Sequence, residues 1–133
     1  MMKIEIKNYT YEEMPEFMQR AEGSYEIVMT GDEIQIEYVP DVIYDGDLRL
    51  QIIRPKQMNY PNKKYPCVVF VQGSAWMKQD IYRNIPNLGK LAALGYVCAL
   101  VEYRHSGIAH FPSCIIDAKN AIRFLKKNAE EYH

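Results

Sequence analysis

The sequence is poor in the features by which a chain holds a cofactor, a metal or a polyanion. Its three cysteines, Cys67, Cys98 and Cys114, lie inside apolar runs with no CxxC spacing and no clustering with histidine at metal-ligand spacing. They read as buried free thiols, and no metal is expected. The formal net charge is −1, with 16 basic and 17 acidic residues mixed along 133 positions. No basic stripe is left to meet a nucleic acid or an anionic membrane, so both are set aside as partners. Seven glycines never cluster into a phosphate-cradling loop, which argues against a flavodoxin-like binder, and no cofactor is expected. No apolar stretch has the length of a signal peptide or a membrane span, so the expectation is a cytoplasmic chain. Internal repeats and low-complexity tracts are absent too, and the length is that of one domain.

What the chain does contain is a short apolar run that stops abruptly, Pro66-Cys-Val-Val-Phe-Val-Gln-Gly-Ser-Ala-Trp76. Bounded by Pro66 and Gly73 and without polar alternation, residues 67–71 read as a strand buried on both faces of a parallel sheet. Ligands of open α/β sheets bind beyond the carboxyl ends of such strands, which makes the Gln72–Trp76 stretch the candidate site. Upstream, residues 34–53 alternate around Asp45-Gly46-Asp47 as an antiparallel hairpin that Pro40 interrupts and Pro55 ends. Downstream, Asp80 is expected to cap a helix over Ile81–Leu94 that Gly95 stops, and 96–101 is a second apolar strand. Together these give a right-handed β-α-β unit with a parallel pair. Pro112 is expected to open a last helix whose apolar stripe includes Cys114, Ala118, Ala121 and Leu125. Residues 1–33 form an amino-terminal extension, with a short strand at 3–9 and a helix that Thr10 and Glu13 would cap.

Two stretches carry a resemblance. VVFVQGSAW resembles the HGGGW-type oxyanion-hole segment of α/β-hydrolases of the esterase/lipase branch, and YRHSGIAHFPSCIIDAKNAIRFLKKNAEEY resembles that branch's YR…FP…D…A…FL stretch. The resemblance covers residues 34–133 and implies the amino-terminal half of an α/β-hydrolase fold. Within the branch the likeness is to bacterial esterases acting on acetylated or feruloylated carbohydrate. It implies that the backbone N–H groups of Ser74 and Ala75 would receive the charge of the ester carbonyl, with Gly73 allowing the tight turn and Trp76 packing beneath. Gln72 stands where the branch has His, and Ser74 and Ala75 where it has glycines, so the hole is shaped differently here. The alternative is that 72–76 is only a loop leaving a strand.

The G-x-S-x-G elbow that carries the branch's nucleophile is absent from these 133 residues. The sequence-based expectation is therefore a sheet truncated before the nucleophile strand, with the nucleophile, Asp and His beyond His133. Arg104 and Asp117 are expected to form an ion pair that supports the site, with substrate contact by Arg104 as the alternative. His105 and His110 read as polar loop residues near the entrance. The branch's strand order, 1-2-4-3-5 onward, would leave 67–71 as an apolar edge open to a second copy or another chain. Two functions remain: the oxyanion-bearing portion of a carboxylic-ester hydrolase, or a non-catalytic oligomeric binding and assembly module.

Overall fold

A computed structural model describes residues 34–59 and 61–132, together with residues 8, 10, 12, 13 and 23. Residues 1–30 and 31–133 form separate compact units. The strand and helix expected in the first unit lie outside the described residues. Of the capping pair, Glu13 Oε2 accepts from Thr10 N and Oγ1, each at 3.1 Å.

The second unit is a mixed four-stranded sheet, β1 (Ile36–Asp45), β2 (Leu48–Pro55), β3 (Cys67–Phe70) and β4 (Val97–Val101), in the order β1-β2-β4-β3. β1 and β2 form the hairpin, turned at Gly46 with φ 55°. Pro40 leaves its mark as a register shift between Val39 and Val42, where Asp41 takes φ 52°. A proline cannot donate to the ladder, so the strand bulges past it. Asp41 is tied down there by the fully buried Gln51, whose Oε1 accepts from the Asp41 amide at 3.2 Å and whose Nε2 donates back to Asp41 Oδ1 at 2.9 Å.

β3 and β4 are parallel and joined through α1 (Ile85–Ala93). α1 begins four residues later than the sequence suggested, because Pro86 can occupy only the first turn: deeper in a helix its ring would meet the carbonyl of Tyr82. Asp80 instead caps the preceding turn, accepting from Tyr82 N at 3.0 Å. Gly95, at φ 91°, ends the segment as expected, its amide donating to Ala92 O at 2.9 Å. α2 (Ser113–Lys127) and the short α3 (Ala129–Tyr132) follow β4.

Alternation along β4 divides the core into two layers. Val97, Ala99 and Val101 pack with Leu50 and Ile52 against Ala121, Leu125 and Tyr132 of α2 and α3. Cys98 and Leu100 pack with Ile53 against Leu88 and Ala92 of α1. Every residue of β4 is buried, the signature of a central strand. β3 has the same apolar composition but pairs on one side only, and its residues are exposed or half-buried. Position in the sheet, and not sequence, separates the two strands.

Candidate active site

β3 delivers the chain into a tight turn over Ser74–Met77, closed by Met77 N donating to Ser74 O at 2.9 Å. Ala75 and Trp76, its two central residues, take φ 50° and 61°. Positive φ at both central positions defines a type I′ turn, which favours Asn and Gly. Ala and Trp occupy it at a cost of roughly 1–2 kcal/mol each, because the Cβ crowds the following carbonyl. Gly73 is not the residue that makes the turn: its φ is not in the left-handed range, and a Cβ built there meets nothing within 4 Å. Trp76 does not pack beneath the turn either, since it is 75% exposed. Among the described residues no hydrogen bond employs the amides of Gly73, Ser74 or Ala75 as donors.

Strain of this kind persists only where neighbours over-determine it. Here residues 103–106, just beyond β4, bind the segment along its length. Tyr103 OH donates to Gln72 O at 2.6 Å and lies 3.1 Å from Ser74 Oγ, while Ser106 N donates to Trp76 O at 3.0 Å. Ser74 Oγ itself donates to Met77 O at 2.6 Å. Gln79, buried, accepts from Tyr103 N at 3.2 Å through its Oε1. The Gln72 side chain accepts from Asn84 Nδ2 at 3.0 Å, joining the turn to the start of α1.

Arg104 and Asp117 are brought together across 13 residues. The fully buried Asp117 accepts from Arg104 N (2.9 Å), Nε (3.0 Å to Oδ2) and Nη2 (2.7 Å). These bonds, and the carboxylate's charge, raise the guanidinium's already high pKa. With its fork committed to Asp117, Arg104 acts as a strut between the loop after β4 and α2. His105 Nδ1 accepts from Gly107 N at 3.1 Å, and among the described residues neither the His105 nor the His110 imidazole is hydrogen-bonded to a serine hydroxyl or a carboxylate.

Between the turn and α2 lies an open cleft of about 530 Å³, lined by Gln72–Trp76, Tyr103 and, from α2, Cys114, Ile115, Ala118 and Ile122. Its wall is chiefly apolar, with the turn, Tyr103 and, from α2, Lys119 as its polar groups. Of the three thiols only Cys98 is buried; Cys67 is exposed on the edge strand and Cys114 half-covered, against the expectation of three buried thiols. Burial, and to a lesser extent the neighbouring Cys67, pushes the Cys98 thiol up to about 11. Among the described residues no three His, Cys, Asp or Glu side chains converge as a metal site, and no helix is long and apolar enough to cross a membrane.

The residues missed in the sequence are Tyr103, Gln79 and Asn84. Tyr103 stands beside Arg104 in the quoted YR pair, which was the available signal. Gln79 and Asn84 had none.

The sheet order, the flanking helices and a strained turn at the carboxyl end of β3 define the amino-terminal part of an α/β-hydrolase. The BD-FAE family profile matches residues 50–133, and the chain belongs to that family. Esterase LipC of Mycobacterium tuberculosis is 33% identical over 94 residues, which are 68% of this chain and 23% of LipC. A bifunctional GH43-CE protein of Bacteroides eggerthii is 32% identical with a TM-score of 0.62, over 71% of this chain and 14% of that one. Esterase B of Lactobacillus rhamnosis, 20% identical with a TM-score of 0.64 over 73% of this chain and 32% of its own, shares the fold. The chain thus spans 17–23% of the length of the curated relatives it matches, and about a third rather than half of that esterase (32%).

Proposed function

We propose that this chain supplies the oxyanion-binding loop of a serine carboxylic-ester hydrolase, with the N–H groups of Ser74 and Ala75 as the donors. The observation that carries the reading is a strained type I′ turn in which, among the described residues, the Ser74 and Ala75 amides have no acceptor, set at the edge of a chiefly apolar cleft. In acyl transfer the ester carbonyl becomes an alkoxide, and fixed donors stabilise that charge without reorganising. The nucleophile, its base and the acid come from outside these 133 residues, which hold no G-x-S-x-G. Ser74 is not a substitute: its hydroxyl is committed to Met77 O, and among the described residues neither the His105 nor the His110 imidazole is hydrogen-bonded to it. Arg104 and Asp117 hold the loop that braces the turn. The resemblance to carbohydrate esterases and the likeness to the GH43-CE protein support an acylated carbohydrate as substrate.

Ala75 gives the experiment. Ala75→Pro removes one donor, and because proline is held near φ −65° it also breaks a turn that needs φ 50°. In the catalytic unit that contains this sequence, turnover of a p-nitrophenyl ester is expected to fall by about 100-fold or more. Ala75→Gly keeps the N–H and suits the angle, so it should retain turnover. Equal turnover in both variants would refute the assignment.

The assembly-module reading draws on a different observation: β3 is a half-buried apolar edge beside exposed Ile115 and Ile122 of α2. Self-association, or pairing with a second chain, through that edge is compatible with the esterase reading.

A further inference from the structure

We infer that Tyr103 is the positioning residue of the Ser74–Met77 turn, its phenol holding Ala75 and Trp76 in left-handed geometry so that the neighbouring amides stay aimed away from protein acceptors. The inference rests on the reading of this turn as the oxyanion-binding loop. Four points of the segment meet one side chain or its amide: Gln72 O, Ser74 Oγ and, through Ser74, Met77 O at the hydroxyl, and Gln79 Oε1 at the backbone. The entry of the turn is therefore fixed to the phenol of Tyr103, and its exit to the same residue's backbone through the buried Gln79, whose Nε2 donates to Met77 O at 3.5 Å.

Proton counting shows how the tie works. Two hydroxyls bring two protons to three contacts, so with Tyr103 donating to Gln72 O and Ser74 donating to Met77 O, the 3.1 Å contact between the oxygens carries no proton of its own. Tyr103 is then the single direct tie on the carbonyl that enters the turn. Without it, Ala75 and Trp76 would relax toward the negative φ values that both residues favour, and a turn of the I or II type would re-aim the peptides of the loop. Phenylalanine would keep the ring and lose only the tie.

Tyr103→Phe in the full chain tests this by amide hydrogen exchange. Met77 N–H and Ser106 N–H, both bonded to the turn's carbonyls, are expected to exchange about tenfold faster, the equivalent of one net hydrogen bond, while amides of β4 are unchanged. In the catalytic unit the same variant is expected to lower kcat by about tenfold with KM little changed, since a misplaced donor affects the transition state and not substrate capture. Unchanged exchange at Met77 and Ser106 would overturn the inference. Faster exchange with unchanged kcat would keep Tyr103 as the holder of the turn and refute the oxyanion reading instead. Should the variant not fold, exchange in the unmodified chain decides: one shared opening free energy for Met77 and Ser106 supports a single tie, and unrelated values overturn it.

Discussion

Asp117 is a fully buried carboxylate with three donors of Arg104 aimed at it, one of them a backbone amide. The ion pair contributes modestly, because the guanidinium side is 42% exposed and water screens it. The amide is different. Asp117→Ala would orphan the Arg104 N–H and is expected to cost about 1–3 kcal/mol, read as a lower midpoint in urea. A midpoint within error of the parent would mean that water replaces the carboxylate. Cys98 makes a second prediction at this scale. An acid whose pKa rises from its ordinary 9.0 to about 11 on folding keeps a proton that the unfolded chain loses. Stability is therefore complete below pH 9 and falls as pH rises toward 11, at up to about 1.4 kcal/mol per pH unit. Urea midpoints that are flat between pH 8 and pH 10.5 would contradict this. The Arg104–Asp117 pair was legible as two residues of a resembling motif. The role of Tyr103 was not, because it depends on a hydroxyl meeting a carbonyl 31 positions upstream.

At the scale of elements, the sequence announces what each segment is better than where it begins or sits. The hairpin was legible from alternation and Asp45-Gly46-Asp47, and β4 from an apolar run. The start of α1 was misplaced because Asp80 offers a good cap, while Pro86 decides where the first turn lies. β3 illustrates the other limit: its composition says buried on both faces, but the strand has one neighbour in this sheet. The family's strand order, not the run itself, was what pointed to an edge. An unpaired apolar edge templates further strands. Size-exclusion chromatography with light scattering is expected to show association that rises with concentration, and Cys67→Lys, a charge at the exposed start of β3, is expected to suppress it. A monomer at all concentrations in the unsubstituted chain would contradict this use of the edge.

The whole molecule, taken as the described unit from residue 34 onward, is a three-layer piece of an α/β-hydrolase in which every feature near the carboxyl end of β3 is braced: Gln72 by Asn84, the turn by Tyr103 and Ser106, the loop after β4 by Asp117. The class of fold and the position of the candidate site were legible because they follow from hydrophobic runs and two quoted stretches. The shape of the site was not. A glycine at 73 drew attention, but the left-handed angles fall on Ala75 and Trp76, where side chains give no hint of them. The measurement closest to the central claim is a crystal structure of the catalytic unit trapped covalently by a phosphonate ester. The phosphoryl oxygen is predicted to lie about 2.7–3.1 Å from the amide nitrogens of both Ser74 and Ala75. An oxygen held by other donors, with those two amides turned to solvent, would contradict it.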